Sequence, residues 1–257
     1  MKRIWITGGT GKVGRVIIPR LLEQGNEVHV LTTQKNPGLS SEVGIYQGDL
    51  TKAFTLQNAF SNAEIILHCA SNFLDPENVD VTGSRNLLSV VPKKKLKHLI
   101  YISIVGVDKS QYPYYKAKYE VEQMIMKSGI PFTNLRATQF HHFVLHRIIK
   151  PIDTGEGKIL QLPENFTFQS IDISDVAEKI IELVGRIPQN ETISIGGPEV
   201  LSLEKMAQDY LDYLGRKDKI ESVPPESFKI FQTGINLCPD KSYGKVTWEK
   251  YLLDNLD

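Results

Sequence analysis

The sequence is short of several features that would each point to a class of protein. Only two cysteines occur, Cys69 and Cys238, too few and too far apart for a disulfide framework or a zinc knuckle. No apolar run approaches the roughly 20 residues that a membrane-crossing helix needs, and no secretory signal pattern opens the chain. Neither sign of charge is in excess: 30 Lys+Arg stand against 30 Asp+Glu, so bulk charge gives no argument for nucleic acid or an anionic membrane as partner. The one basic cluster, Lys93-Lys94-Lys95 with Lys97, precedes a predicted strand and reads as a solvated helix end. His142-x-x-x-His146 has helical ligand spacing but lacks the Glu of a zinc-protease motif, so no metal is expected. These absences lead to the expectation of a cytoplasmic monomer or homodimer that acts on a small molecule, without membrane or nucleic-acid partners.

What is present is a cluster of four glycines near the start of the chain. The run Ile4-Trp5-Ile6 enters Thr7-Gly8-Gly9-Thr10-Gly11-Lys12-Val13-Gly14, and the chain leaves on Val13, Val16, Ile17, Leu21 and Leu22 at helical spacing. Strand, tight turn and helix in this order form the first half of a nucleotide-binding βαβ unit. Glycine supplies a positive φ for the turn, lets the backbone approach a pyrophosphate, and lets the helix start pack against the strand. The N–H groups of the new helix then face the phosphates. Residues 7–14 are therefore cofactor-binding candidates.

Further strands are predicted at 27–32, 43–47, 64–71, 98–106 and 132–137, with helices at 51–60, 75–91 and 113–127 between them. This alternation is the signature of an α/β, doubly wound parallel sheet. Ligands sit outside the carboxyl ends of such strands, which nominates Thr33 and Lys35 after the second strand and Asp49 and Leu50 after the third. By the same rule Ala70 and Ser71 at the end of the fourth, and Thr138 after the sixth, are expected to flank the cofactor. No carboxylate follows the second strand to bind a ribose 2′-hydroxyl. Lys35 is cationic there and Arg15 is near in sequence, so NADP(H) is favoured over NAD(H), against the plain reading of Lys35 as a solvated surface residue. Asp49 reads equally as an adenine neighbour and as a turn or cap residue.

From about Pro151 the loops lengthen and the strands shorten. Helices are predicted at 174–184, with Ser174 as N-cap, and at 201–214. Residues 1–150 are thus expected to form the dinucleotide-binding domain, and 151–257 a small substrate lobe on the sheet's carboxyl edge. His141, Phe143, Phe166, Phe168, Phe231 and Trp248 are candidates to shape its binding surface.

The chemistry is expected at 112–118, where Tyr112/Lys116 and Tyr114/Lys118 both have the Tyr-x-x-x-Lys spacing. Positions four apart share a helix face, and a neighbouring ammonium favours the ionised form of a phenol. Pro113 suits a first helical turn and leaves Tyr112 at the boundary. Tyr114/Lys118 lies inside, on a face that continues through Val121, Glu122 and Ile125. Tyr114 is the expected proton donor to a substrate oxygen, and Lys118 a partner both of the phenol and of the nicotinamide ribose. Ser103 on the preceding strand either hydrogen-bonds that substrate oxygen or is satisfied by backbone.

With these residues in view, the chain resembles the NmrA-like, atypical branch of the short-chain dehydrogenase/reductase superfamily. The resemblance rests on Thr7-Gly8-Gly9-Thr10-Gly11-x-x-Gly14, Gly48-Asp49-Leu50, Tyr101-Ile102-Ser103-Ile104-Val105-Gly106 and Tyr114-x-x-x-Lys118-x-x-x-Glu122. It extends through Leu135-Arg136-Ala137-Thr138-Gln139-Phe140, Asp175-Val176-Ala177, Gly196-Gly197-Pro198-Glu199 and Thr247-Trp248-Glu249. It implies a Rossmann fold with bound NAD(P)(H). It also implies one of two activities: an oxidoreductase reducing a small carbonyl or quinone by hydride transfer, or a redox sensor that binds the dinucleotide without turnover. Many members of that branch carry an Arg near position 33, where this chain has Thr33; that departure weighs against NADP.

Overall fold

The computed structural model describes residues Met1–Leu256. Its main sheet has seven strands: β1 (Arg3–Thr7), β2 (Glu27–Thr32), β3 (Gly44–Gln47), β4 (Ile65–His68), β5 (His98–Ile104), β6 (Phe132–Ala137) and β9 (Glu191–Ile195). The order is β3-β2-β1-β4-β5-β6-β9. The β1–β2, β2–β3, β1–β4 and β4–β5 pairs are parallel. Apart from the added edge strand this is the 3-2-1-4-5-6 order of a doubly wound sheet, whose direction of winding reverses between β1 and β4. Ile4, Ile6, Ile66, Leu67, Leu99 and Ile100 are fully buried, as strands covered on both faces require. The remaining strands, β7 (Leu160–Pro163), β8 (Thr167–Phe168), β10 (Leu201–Ser202) and β11 (Ile220–Val223), pair as β7–β11 and β8–β10.

The glycine-rich turn delivers helix α1 (Lys12–Glu23), and helix α2 (Gly83–Val90) precedes β5. Helix α3 (Pro113–Met126) starts at Pro113 with Tyr112 as an extended N-cap residue, as the proline predicts. It is followed by α4 (Ile173–Gly185), α5 (Leu203–Tyr213) and α6 (Trp248–Asn255).

Three local expectations change. The helix expected over 51–60 shrinks to one 3₁₀ turn, Ala53–Leu56, because Asn58 takes a left-handed φ of 65° that a helix cannot carry. The helix expected over 75–91 opens into a wide π turn at Glu77–Thr82 before α2. Ser174 lies within α4, and the cap is Asp172, whose carboxylate accepts from the Ser174 backbone N–H at 2.8 Å.

The contacts divide the described residues into two compact units. The first comprises residues 1–103, 111–136 and 176–193; the second comprises 104–110, 137–175 and 194–257. The second unit has its own core, in which Phe166, Phe168, Phe231, Trp248 and Leu203 are all but fully buried.

Candidate functional site

Both halves of the expected site fall in the first unit. Gly8 has φ +71°, and a Cβ there would lie 2.6 Å from the Ala70 nitrogen at the end of β4. A Cβ on Gly14 would lie 2.5 Å from Gly9 backbone atoms. The turn thus packs against β4 and folds on itself at distances only glycine tolerates. Gly11 is the N-cap of α1; it carries no side-chain cap and no acidic residue follows in the first turn. By contrast Ser202 caps α5 and Thr247 caps α6. The N-terminus of α1 therefore presents the N–H groups of Lys12, Val13 and Gly14, which have no intrahelical acceptor, together with the positive end of the helix dipole.

Thr7 does not offer its hydroxyl to this loop. The side chain is fully buried, lies 2.6 Å from His68 Nδ1 and accepts from the Ala70 N–H at 3.3 Å. His68 Nε2 continues the run to Ser84 at 2.7 Å. Burial, reinforced by the Lys118 charge, pushes the imidazole down to about 3, so it stays neutral. Thr7 thus ties the glycine turn to β4 from beneath.

The tie extends to the chemistry. Ser71, just beyond β4, lies 2.8 Å from the Tyr114 hydroxyl and donates to Asp80 Oδ1 at 2.7 Å. The same Asp80 oxygen is 3.3 Å from Lys118 Nζ, and the other accepts from the Asn72 N–H at 3.0 Å. Lys118 also donates to the Ile102 carbonyl at 3.0 Å, and its ammonium lies 4.8 Å from the Tyr101 ring centre and 5.8 Å from that of Tyr114. Burial opposes the charge on Lys118, but Tyr101, Tyr114 and the Asp80 carboxylate outweigh it, and the amine titrates above its ordinary range. Tyr114 and Lys118 share the face of α3 on which Val121, Glu122 and Ile125 are buried. Glu122 there takes a two-pronged ion pair from Arg136, at 2.9 and 2.6 Å.

Ser103 is buried, and its Oγ has no hydrogen-bond partner among the described residues. The alternation of a strand sets Tyr101 and Ser103 on one face of β5. Backbone satisfaction of Ser103, the alternative the sequence left open, does not occur.

At the β2 end, Thr33 and Lys35 are exposed. Arg15 donates to the carbonyls of Thr10, Pro37 and Gly38 at 3.0, 2.9 and 3.2 Å, bridging the glycine turn and the segment after β2. Asp49 is engaged as a turn residue: one carboxylate oxygen accepts from both the N–H and the hydroxyl of Thr51, at 2.9 and 2.8 Å. Leu50 is buried and its carbonyl accepts from Asn86 at 2.8 Å.

Thr138 belongs to the second unit, where its hydroxyl donates to the Gln169 carbonyl at 2.5 Å. Among the residues expected to shape a substrate surface, Phe166, Phe168, Phe231, Trp248 and His141 are core, each no more than 2 % exposed. His141 is held by Ser170 at 2.7 Å and the Val246 carbonyl at 2.9 Å. Burial pushes the two thiols up, Cys69 to about 12 and Cys238 to about 11, which leaves neither as a nucleophile at neutral pH.

The sequence reading missed Asp80. Asp80 stands between Val79 and Val81, and the π turn that brings it to Ser71 and Lys118 has no sequence pattern of its own.

The turn after β1 and the Tyr114–Ser71 contact after β4 define a Rossmann fold with a polar site at its switch point. The chain belongs to the NmrA-like family, whose model matches residues 1–244. It is 25 % identical over 243 residues to the Photosystem II assembly factor Ycf39 of Synechocystis, covering 86 % of this chain and 71 % of that one. To Prestalk A differentiation protein A of Dictyostelium discoideum it is 23 % identical over 239 residues, covering 91 % and 77 %. Among solved structures, an NADPH-dependent quinone oxidoreductase of Escherichia coli, determined with NADPH, superposes with a TM-score of 0.85 at 16 % identity, covering 99 % of this chain and 100 % of that one. A UDP-glucose 4-epimerase of Thermus thermophilus, determined with NAD, gives 0.69 at 19 % identity, covering 87 % and 86 %. At these identities the superpositions establish the fold. No helix among the described residues is long and apolar enough to cross a membrane.

Proposed function

We propose that this protein is an NAD(P)H-dependent oxidoreductase that reduces a small carbonyl or quinone-type substrate. The observation that carries the reading is the 2.8 Å contact between Tyr114 and Ser71. It puts the phenol at the carboxyl end of β4, the strand beside the glycine turn, where the winding of the sheet reverses.

The residues present fit a dinucleotide. The turn has no room for a Cβ at Gly8 or Gly14, and the first N–H groups of α1 lack any cap. Ser103 carries a buried hydroxyl without a partner among the described residues. Gly8, Gly9, Thr10, Gly11, Lys12, Val13 and Gly14 would hold the diphosphate through backbone N–H groups. Thr33, Lys35 and Arg15 would border the adenosine, an arrangement with two cations and no carboxylate that favours NADP(H). Ala70, Ser71, Asp49 and Leu50 would border the cofactor.

When bound, the reduced nicotinamide supplies a hydride to the carbonyl carbon. Tyr114 gives its proton to the substrate oxygen, and the Lys118 ammonium stabilises the negative charge left on the phenol. Lys118, held by the Ile102 carbonyl and Asp80, would meet a ribose hydroxyl of the cofactor. Ser103 donates a hydrogen bond to the same substrate oxygen.

The test is NADPH and NADH oxidation with a panel of ketones and quinones. Tyr114→Phe is expected to lose about 100-fold in kcat on ketones, the usual worth of a general acid. Lys118→Ala is expected to lose cofactor affinity as well. Wild-type turnover no faster than that of both variants overturns the reading. The names of the relatives favour a second reading, a dinucleotide-binding protein that works through a protein partner without turnover. Equal affinity for the oxidised and reduced cofactor, with no captured partner, would remove its rationale.

A further inference from the structure

The hydrogen bonds around Tyr114 have one direction. A carboxylate has no proton to give, so Ser71 donates to Asp80, and the Ser71 oxygen must accept from Tyr114. In this state the phenolic proton points at Ser71. A half-turn about the phenol C–O bond presents it elsewhere, so a substrate oxygen competes with Ser71 for the same proton.

We propose that Ser71 is a positioning residue for the proton step, a hydroxyl held by Asp80 that accepts from Tyr114 before the transfer and donates to it afterwards. The inference rests on the reductase reading and goes beyond it. As the proton leaves, the Tyr114 O–H bond breaks, an O–H bond forms on the substrate oxygen, and the electron pair stays on the phenolic oxygen. Ser71 then turns its hydrogen from Asp80 to that oxygen without any covalent change. Asp80 is not stranded, because it keeps Lys118 Nζ at 3.3 Å and the Asn72 N–H at 3.0 Å. The carboxylate is fully buried while Ser71 is exposed. The anchor of the pair is therefore fixed, and the moving member lies where a substrate can reach. Water returns the proton to the phenol when product leaves.

The arrangement separates two substrate classes. A ketone reduced by hydride becomes an alkoxide that must take a proton, whereas an electron-poor quinone becomes a stabilised anion with less need of one. The experiment compares 2,3-butanedione and 1,4-benzoquinone with NADPH, using wild type, Ser71→Ala and Ser71→Thr. The exposed position makes Ser71→Ala tolerable to the fold, which circular dichroism checks. Ser71→Ala is expected to lose kcat on butanedione by about tenfold or more, the worth of one hydrogen bond to a charged oxygen. The loss on benzoquinone is expected to be smaller, the solvent isotope effect on butanedione to rise, and Ser71→Thr to recover most of the rate. Equal losses on both substrates, or no rescue by threonine, would mean that Ser71 only shapes the loop and would overturn the inference alone. No turnover by the wild type on either substrate would overturn the reductase reading and the inference together.

Discussion

At the scale of single residues, the proposed site is built on a buried charge pair. Lys118 and Asp80 are 5 % and 0 % exposed, and taking either partner away leaves the other charge in the interior without compensation. Lys118→Met is expected to lower stability by about 3–5 kcal/mol, as removing one member of a buried pair does. The double variant Lys118→Met with Asp80→Asn should recover part of that loss. Urea denaturation of wild type, both single variants and the double variant checks it; additive losses would mean that the two groups do not interact. Tyr114 and Lys118 were legible from spacing and from the proline that starts α3. Asp80 and the Ser71 link were not. A carboxylate on a helix carries no mark of burial, and the hydroxyl of Ser71 finds the phenol only through contact between segments 43 residues apart in sequence.

At the scale of elements, what the sequence predicts well is what local chemistry dictates. The strand at 132–137 has the predicted bounds, and α3 starts at the predicted proline. The 51–60 helix fails because one left-handed asparagine decides it, and Glu191–Ile195, whose Thr192, Ile193 and Ile195 carry a strand signal, joins the main sheet although the sequence reading expects no strand there. Phe166, Phe168, Phe231 and Trp248 belong to a core and not to a binding surface, because apolarity marks a core as readily as a pocket.

A separate element contact contributes to acid behaviour. Asp153 takes a two-pronged ion pair from Arg216, at 2.7 and 2.9 Å, and a hydrogen bond from Tyr210 at 2.8 Å, fastening the start of the 153–158 loop to the segment after α5. The Arg216 guanidinium is the main cause that holds the Asp153 carboxyl down to about 2, against an ordinary 3.8. A depressed folded-state value contributes stability that is present above the unfolded value and lost as pH falls through the folded one. This contribution, on the order of 2 kcal/mol, should therefore be intact above about pH 4 and disappear between there and about pH 2. Asp153→Asn should flatten that part of the stability curve; an unchanged acid limb in urea titrations would show that the pair contributes nothing.

At the scale of the whole molecule, the switch point of the sheet gathers groups from several distant parts of the first unit. These are the turn after β1, Ser71 after β4, Asp80 from the π turn, and Tyr114 with Lys118 from α3. The topology explains why these residues meet: parallel strands send every carboxyl end to one edge, and the reversal between β1 and β4 leaves a crevice there. Membership of the NmrA-like family accounts for the fold, and the neighbouring phenol and ammonium account for the expectation of turnover.

The measurement that tests the account most directly is a calorimetric titration of NADPH into wild type and Gly14→Ala, each checked for a cooperative melt. A methyl group at position 14 would lie 2.5 Å from Gly9 backbone atoms and would force the turn open. The account predicts saturable 1:1 binding to the wild type and a loss of affinity of about tenfold or more in the folded variant, the equivalent of about 1.4 kcal/mol. A folded wild type that takes up no NADPH, or a Gly14→Ala variant that binds it equally well, would contradict it.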